Sequence, residues 1–241
     1  MNEDFRINDY PASCNKIVVC VPSFKGGSFQ YFILRRKLIN LGLHVVTLDF
    51  SFRWFAKKNF QEMSLSKGKK ELESILYIIK NKYPNKKIIL FSQSFGGVVS
   101  LSVDKRFVDG IALSSPVLEI KETLSSYFGD VSLSDLMKKE YMYFFMPVYS
   151  PIKPLYFKVK TSVIDDIVSN FDHLKVAKGI NHPLLVFYGH RDERVSRKTI
   201  DGFIDAVPAT EKQLIVLDGG HSAPPLLFTS LLAEKINSFI C

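Results

Sequence analysis

The chain has 241 residues, 46% of them apolar, including 20 Phe and 10 Tyr. That is enough to build a full core and excludes general disorder. Its net charge of +8 is scattered in short groups such as Lys57-Lys58, Lys67, Lys69-Lys70, Lys86-Lys87 and Lys138-Lys139. No zinc-finger, RNP or recognition-helix pattern accompanies them, so they read as solvated faces and no nucleic-acid partner is expected.

The N-terminal stretch MNEDFRINDYP is polar, without the apolar stretch of a secretory signal. No apolar run approaches the ~20 residues that span a bilayer. A cytoplasmic protein without stable membrane insertion is the expectation. Three cysteines, Cys14, Cys20 and Cys241, are too few and too scattered for a disulfide framework or a zinc site. Cys20 sits in an apolar run and reads as a small core residue.

The first strand is predicted at Lys16 to Val21 (KIVVCV), followed by the loop PSFKGGS. A helix is expected over Phe29 to Leu41, stopping at Gly42, and then a strand over His44 to Asp49. From Ser66 to Tyr83, Leu72, Ile75, Leu76, Ile79 and Tyr83 fall on one helical face. Lys87 to Phe91 reads as a strand and Gly96 to Val103 as a helix. Phe107 to Leu113, Leu184 to Tyr188 and Gln213 to Leu217 complete the strands, and Leu226 to Ile240 closes the chain as a helix.

Strands apolar on both faces and joined by helices predict an α/β fold, a mainly parallel central sheet with helices on each side. All strand C-terminal ends then share one edge, where ligands bind. One segment breaks the alternation, from about Glu119 to Ile180. It is rich in Tyr, Phe, Met and Pro, with helices expected over Leu133 to Tyr143 and Ser162 to Phe171. It predicts a small helical cap inserted before the penultimate strand of a single domain spanning 1–241.

The chemistry centres on Ser92-Gln93-Ser94-Phe95-Gly96-Gly97, between a strand and a helical run. A serine on so sharp a turn is pushed out of the sheet edge at the positive end of the next helix. His221, in Asp218-Gly219-Gly220-His221-Ser222, lies in the loop after the last strand and is the candidate base. His190 is its competitor. Asp192, in Tyr188-Gly189-His190-Arg191-Asp192-Glu193, is the candidate orienting acid, favoured over Glu193 by its spacing after Gly189. Ser, Asp, His is the chain order expected when three such loops converge on one edge.

On these residues the chain resembles the α/β-hydrolase superfamily, from about Lys16 to the C-terminus, with the cap as its variable part. The resemblance implies a nucleophile elbow at SQSFG, with Ser94 as nucleophile, Asp192 as acid and His221 as base. It further implies an oxyanion hole from the backbone N–H groups of Phe24 and Phe95, and hydrolysis through an acyl-enzyme with no metal or organic cofactor. Two departures stand out. Ser92 replaces the first glycine of G-x-S-x-G, and Pro22-Ser23-Phe24 stands where the family loop begins His-Gly.

Tyr141 to Met146 supply candidate substrate contacts, Tyr143, Phe145 and Met146 among them, for a small-molecule apolar acyl ester. Two rival readings stay open. One uses the same triad for peptide or amide cleavage or acyl transfer, with Glu119, Glu122 or Asp130 available to bind a substrate amine. The other is a hydrolase fold that binds without catalysis. The oligomeric state and the natural ester are not encoded in any motif.

Overall fold

A computed structural model of the chain describes residues 5–24, 26–52, 63–129, 132–146, 155–222 and 227–239, excepting the side chains of 144–146 and 155–157. Seven strands form the main sheet: β1 (Arg6–Tyr10), β2 (Lys16–Val21), β3 (His44–Asp49), β4 (Lys87–Gln93), β5 (Gly110–Ser114), β8 (Leu184–Gly189) and β9 (Lys212–Leu217). Their spatial order is β1-β3-β2-β4-β5-β8-β9. β1 runs antiparallel to β3, and every other pairing in the sheet is parallel. The expected mainly parallel α/β architecture is therefore present.

Period-two alternation sorts the central side chains between two cores. Ile17, Val19 and Val21 of β2 face one side, and Val18 and Cys20 face the other. The first side packs α2 (Leu65–Lys82), α3 (Phe95–Ser102) and α8 (Arg197–Ala206) through Leu72, Ile75, Val98, Ile200 and Phe203. The second packs α1 (Phe32–Asn40) and α9 (Thr229–Phe239) through Leu34, Leu38, Leu232 and Ile236. Both faces of β2, β4, β5 and β8 are thereby dry, which is why these strands read as continuous apolar runs.

Four elements depart from the sequence expectation. β1 was not anticipated, because RINDY is polar and sits at the sheet edge, where one side of the ladder needs no apolar cover. β5 begins at Gly110, three residues later than expected, because Asp104 caps a 3₁₀ turn over Lys105–Phe107. Helix α8 follows its Ser196 N-cap, a signal present in the sequence. The fourth departure lies between β5 and β8.

That segment holds α4 (Ile120–Phe128), α5 (Leu133–Met137), β6 (Tyr141–Met146), β7 (Leu155–Lys160), α6 (Ser162–Asn170) and α7 (His173–Ala177). The helix expected over Leu133 to Tyr143 ends at Met137, and the segment is mixed α and β instead of all-helical. Tyr141 to Met146 is a strand because an aromatic-rich run suits a pleated surface, and it pairs antiparallel with β7, Met142 opposite Val159. The expected Ser162 to Phe171 helix forms as α6.

Candidate active site

Ser94 directly follows β4 and occupies the N-cap position of α3 with φ 53° and ψ −125°. A serine at positive φ carries about 1–3 kcal/mol of backbone strain. The strain is held by bonds on both sides of the residue. The Ser94 N–H donates to the Ser114 carbonyl at 3.0 Å, and the Ser94 carbonyl accepts from Gly97 N–H at 2.9 Å and Val117 N–H at 3.3 Å. A Cβ at residue 96 would collide with the carbonyls of Pro22 and Val21, so Gly96 is what lets the β2 exit loop lie against the first turn of α3. Ser92 fits where a glycine is usual. It is fully buried, and its hydroxyl has no hydrogen-bond partner among the described residues.

His221 Nε2 lies 2.9 Å from Ser94 Oγ, and its Nδ1 lies 2.9 and 3.0 Å from the two Asp192 carboxylate oxygens. The histidine is 3% exposed and the Asp192 side chain fully covered. Asp192 Oδ1 also accepts the N–H groups of Arg194 at 2.9 Å and Val195 at 3.1 Å. Burial works to raise the Asp192 carboxyl, but the hydrogen bond and charge of His221, together with the Arg194 N–H, hold it below the ordinary carboxylate range. An ionised Asp192 only accepts, so Nδ1 carries a proton, and in the neutral ring with that tautomer Nε2 is the acceptor facing the serine hydroxyl.

The loops after β8 and β9 are knitted together, which sets this geometry. His190 N–H donates to the Leu217 carbonyl, Arg191 N–H to Gly219 and Asp192 N–H to Gly189, each at 2.9 Å. The competitors for each role stand elsewhere. His190 Nδ1 lies 3.2 Å from the Leu217 carbonyl and near Asp218, and the ring is half-exposed. Glu193 is exposed, with Arg194 at 3.4 Å, and it reaches the His221 backbone N–H at 3.5 Å, not the imidazole ring.

A cavity of about 560 Å³, counted to include its open mouth, lies over Ser94. Its floor is the elbow with Phe24 and Phe95, whose rings meet edge-on at 6.0 Å between centroids. Its walls come from Ile120, Thr123, Leu124 and Tyr127 of α4, from Val163, Ile164 and Ile167 of α6, and from Val117 and Met142. The Arg194 guanidinium stacks 4.6 Å over the Tyr127 ring. Of the expected substrate contacts, Tyr143 is 57% exposed and turned from the cavity, while Met142 beside it on β6 is buried there. Successive strand residues face opposite ways, so within the expected Tyr141 to Met146 run Met142 meets the cavity and Tyr143 does not. The side chains of Phe145 and Met146 lie outside the described residues. The α4 wall was missed, although its i, i+3, i+4, i+7 spacing was present in the sequence.

Of the acidic residues offered by the sequence for amine binding, Glu119 and Glu122 are not among the described residues that line the cavity. Glu122 accepts Ser196 N–H at 2.8 Å and Thr199 hydroxyl at 3.1 Å, tying α4 to the start of α8. Glu119 caps α4, and Asp130 lies outside the described residues. Among the described residues no group of three His, Cys, Asp or Glu is placed to hold a metal ion, and no helix is long and apolar enough to cross a membrane.

No protein-family model matches the chain, and no curated protein matches its sequence. Solved structures do. The ferulic-acid complex of Est1E from Butyrivibrio proteoclasticus superposes with a TM-score of 0.76 at 16% identity, over 98% of this chain and 96% of that one. Alpha/beta hydrolase domain-containing protein 10 from mouse gives 0.75 at 16% identity, over 98% and 93%. The chain has the α/β-hydrolase fold. A monoacylglycerol lipase of Paleococcus ferrophilus is a further neighbour, with a TM-score of 0.67 at 17% identity over 98% and 99%.

The α/β-hydrolase fold explains why residues 127 positions apart meet. β4, β8 and β9 are parallel, so the loops leaving their C-terminal ends open at one edge of the sheet. Phe95 is the first residue of α3, and its N–H is among those with no acceptor inside the helix. It is therefore disposed to bind an anion beside Ser94.

Proposed function

We propose that the protein is a serine hydrolase of carboxylic esters or thioesters, acting through Ser94, His221 and Asp192. The observation that carries this reading is His221 Nε2 at 2.9 Å from Ser94 Oγ, with a buried carboxylate behind the ring. His221 takes the Ser94 proton as Oγ attacks the acyl carbonyl carbon. The tetrahedral oxyanion is met by the N–H groups of Phe95 and Phe24. Collapse expels the alcohol or thiol with the proton from His221, leaving an ester on Ser94. Water then attacks that ester, loses a proton to His221, and the acid leaves as Ser94 recovers its proton. Asp192 keeps the imidazole in its reactive tautomer and stabilises the cation formed in each step.

The lining favours an aliphatic or aromatic acyl group. Among the described lining residues only Ser94, Thr123 and Tyr127 bring hydroxyls to it, and the Thr123 hydroxyl is already committed to the Arg194 carbonyl at 3.2 Å. The absence of an acidic side chain among the described lining residues favours esters over aminopeptidase substrates. Residues 1–241 act as one domain, with about 119–180 as the cap over the acyl pocket. The test is hydrolysis of p-nitrophenyl acetate, butyrate and octanoate. The wild type is expected to turn over at least one, and Ser94→Ala none above background. A folded wild type inert towards all of them contradicts the proposal.

A further inference from the structure

The loop leaving β2 runs Pro22-Ser23-Phe24 with no glycine before Gly26, and in the proposed mechanism it presents the Phe24 amide beside Ser94. We propose that Gln30 is a positioning residue that takes over this task, bracing the oxyanion loop against the nucleophile strand. The inference rests on the reading of the protein as a Ser94 hydrolase.

Gln30 lies on the 3₁₀ turn Ser28–Tyr31. Its Oε1 accepts the Ser23 backbone N–H at 3.1 Å and the Ser23 hydroxyl at 3.0 Å. Its Nε2 donates to Oε1 of Gln93. A backbone N–H only donates, so the carboxamide can face Ser23 only with its oxygen, which leaves the nitrogen for Gln93. Gln93 is 6% exposed and immediately precedes Ser94. One planar group thus links the residue before Phe24 to the residue before Ser94.

The surroundings are shaped for this brace. A Cβ at residue 26 would overlap Gln30 Oε1, so Gly26 leaves the space the carboxamide occupies, and its N–H closes the turn onto the Ser23 carbonyl at 2.9 Å. The 3₁₀ turn beneath is itself anchored. The Tyr31 hydroxyl donates to the Val21 carbonyl at 2.6 Å, and Ser28 donates to Asp49 through its N–H at 2.6 Å and its hydroxyl at 3.2 Å. Gln30 is not among the described residues that line the substrate cavity, so its effect reaches the reaction through Ser23 and Gln93, the residues it braces.

The experiment measures kcat, KM and the separate acylation and deacylation rates on p-nitrophenyl butyrate for wild type, Gln30→Met, Gln93→Met and the double variant. A misplaced donor slows every step that passes through an oxyanion. Gln30→Met is therefore expected to lower acylation and deacylation together, on the order of 10–100-fold in kcat, with KM within about threefold. The double variant is expected to be no slower than the worse single one, since both cut the same brace. Gly26→Ala, which displaces the carboxamide by overlap, is expected to reproduce the kcat loss and supplies the test if Gln30→Met does not fold. A Gln30→Met enzyme with wild-type kcat, a loss carried by KM, or additive losses in the double variant overturns the inference while the hydrolase reading stands. A wild type inert towards esters, with Ser94 unreactive to a fluorophosphonate, overturns both.

Discussion

The cap cavity predicts a steep dependence on acyl chain length. Met142, Leu124, Val163, Ile164 and Ile167 are each at most 5% exposed and together present an apolar wall above Ser94. Each methylene that enters such a wall from water contributes about 0.8 kcal/mol, close to a fourfold gain in kcat/KM, since ~1.4 kcal/mol is tenfold. The four methylenes separating butyrate from octanoate set an upper bound of about 3 kcal/mol, or roughly 200-fold. The assay is kcat/KM for p-nitrophenyl acetate, butyrate, hexanoate and octanoate, with Met142→Phe beside the wild type. The larger ring fills the cavity from β6 at about 1–3 kcal/mol of folding stability, checked by thermal unfolding. Wild-type kcat/KM is expected to rise with chain length until the pocket is full, and Met142→Phe to flatten that rise while leaving acetate within about threefold. A flat wild-type profile, or an equal loss on every ester in Met142→Phe, would refute the placement of the acyl chain in this cavity.

Other perturbations have equally definite outcomes. Asp192→Asn keeps a side chain of the same shape but favours the wrong imidazole tautomer, so kcat is expected to fall about 10⁴-fold with little change in unfolding temperature. Lys105 donates from a buried ammonium to the carbonyls of Ser100, Leu101 and Val103 at the end of α3, and burial lowers it to about 8. Lys105→Met leaves those acceptors unpaired and is expected to cost about 2 kcal/mol, or roughly 4–8 °C of thermal midpoint at this chain length. At the opposite edge of the sheet, His44 Nε2 meets Asp9 at 2.6 Å and its Nδ1 meets Lys86 at 3.1 Å, with Lys82 and Tyr83 also on Asp9. Burial first, then the charges of Lys86 and Lys82, pull His44 below its ordinary value against the upward pull of Asp9. The unfolded chain therefore takes up that proton first as pH falls through about 6.5, and stability drops with it. The fall in thermal midpoint from pH 7.5 to 5.5 is expected to be smaller in His44→Gln; an equal fall in both contradicts this assignment.

What was legible in the sequence follows from how each feature is encoded. The central strands declare themselves because they are buried on both faces, so IVVCV in β2 and LLVFY in β8 are apolar without interruption. The three loops at the site are each marked by glycine beside a polar residue of restricted chemistry, in SQSFGG, YGHRDE and DGGHS, and parallel topology turns that order along the chain into proximity. β1 was illegible because an edge strand takes its stability from a ladder with β3, which leaves no apolar pattern. The cap was partly misread because Tyr, Phe and Met suit a helix face and a strand equally, and only pairing with Leu155–Lys160 decides between them. The brace through Gln30 had no local signature, since its partners Ser23 and Gln93 lie 7 and 63 residues away.

The most direct test of the central claim, that Ser94 is an activated nucleophile, is intact mass spectrometry after a fluorophosphonate is offered to the wild type and to Ser94→Ala. One adduct per wild-type chain on the peptide carrying Ser94, and none on a folded Ser94→Ala, is the predicted result. A folded wild type that stays unmodified, or an equal adduct on Ser94→Ala, would contradict it.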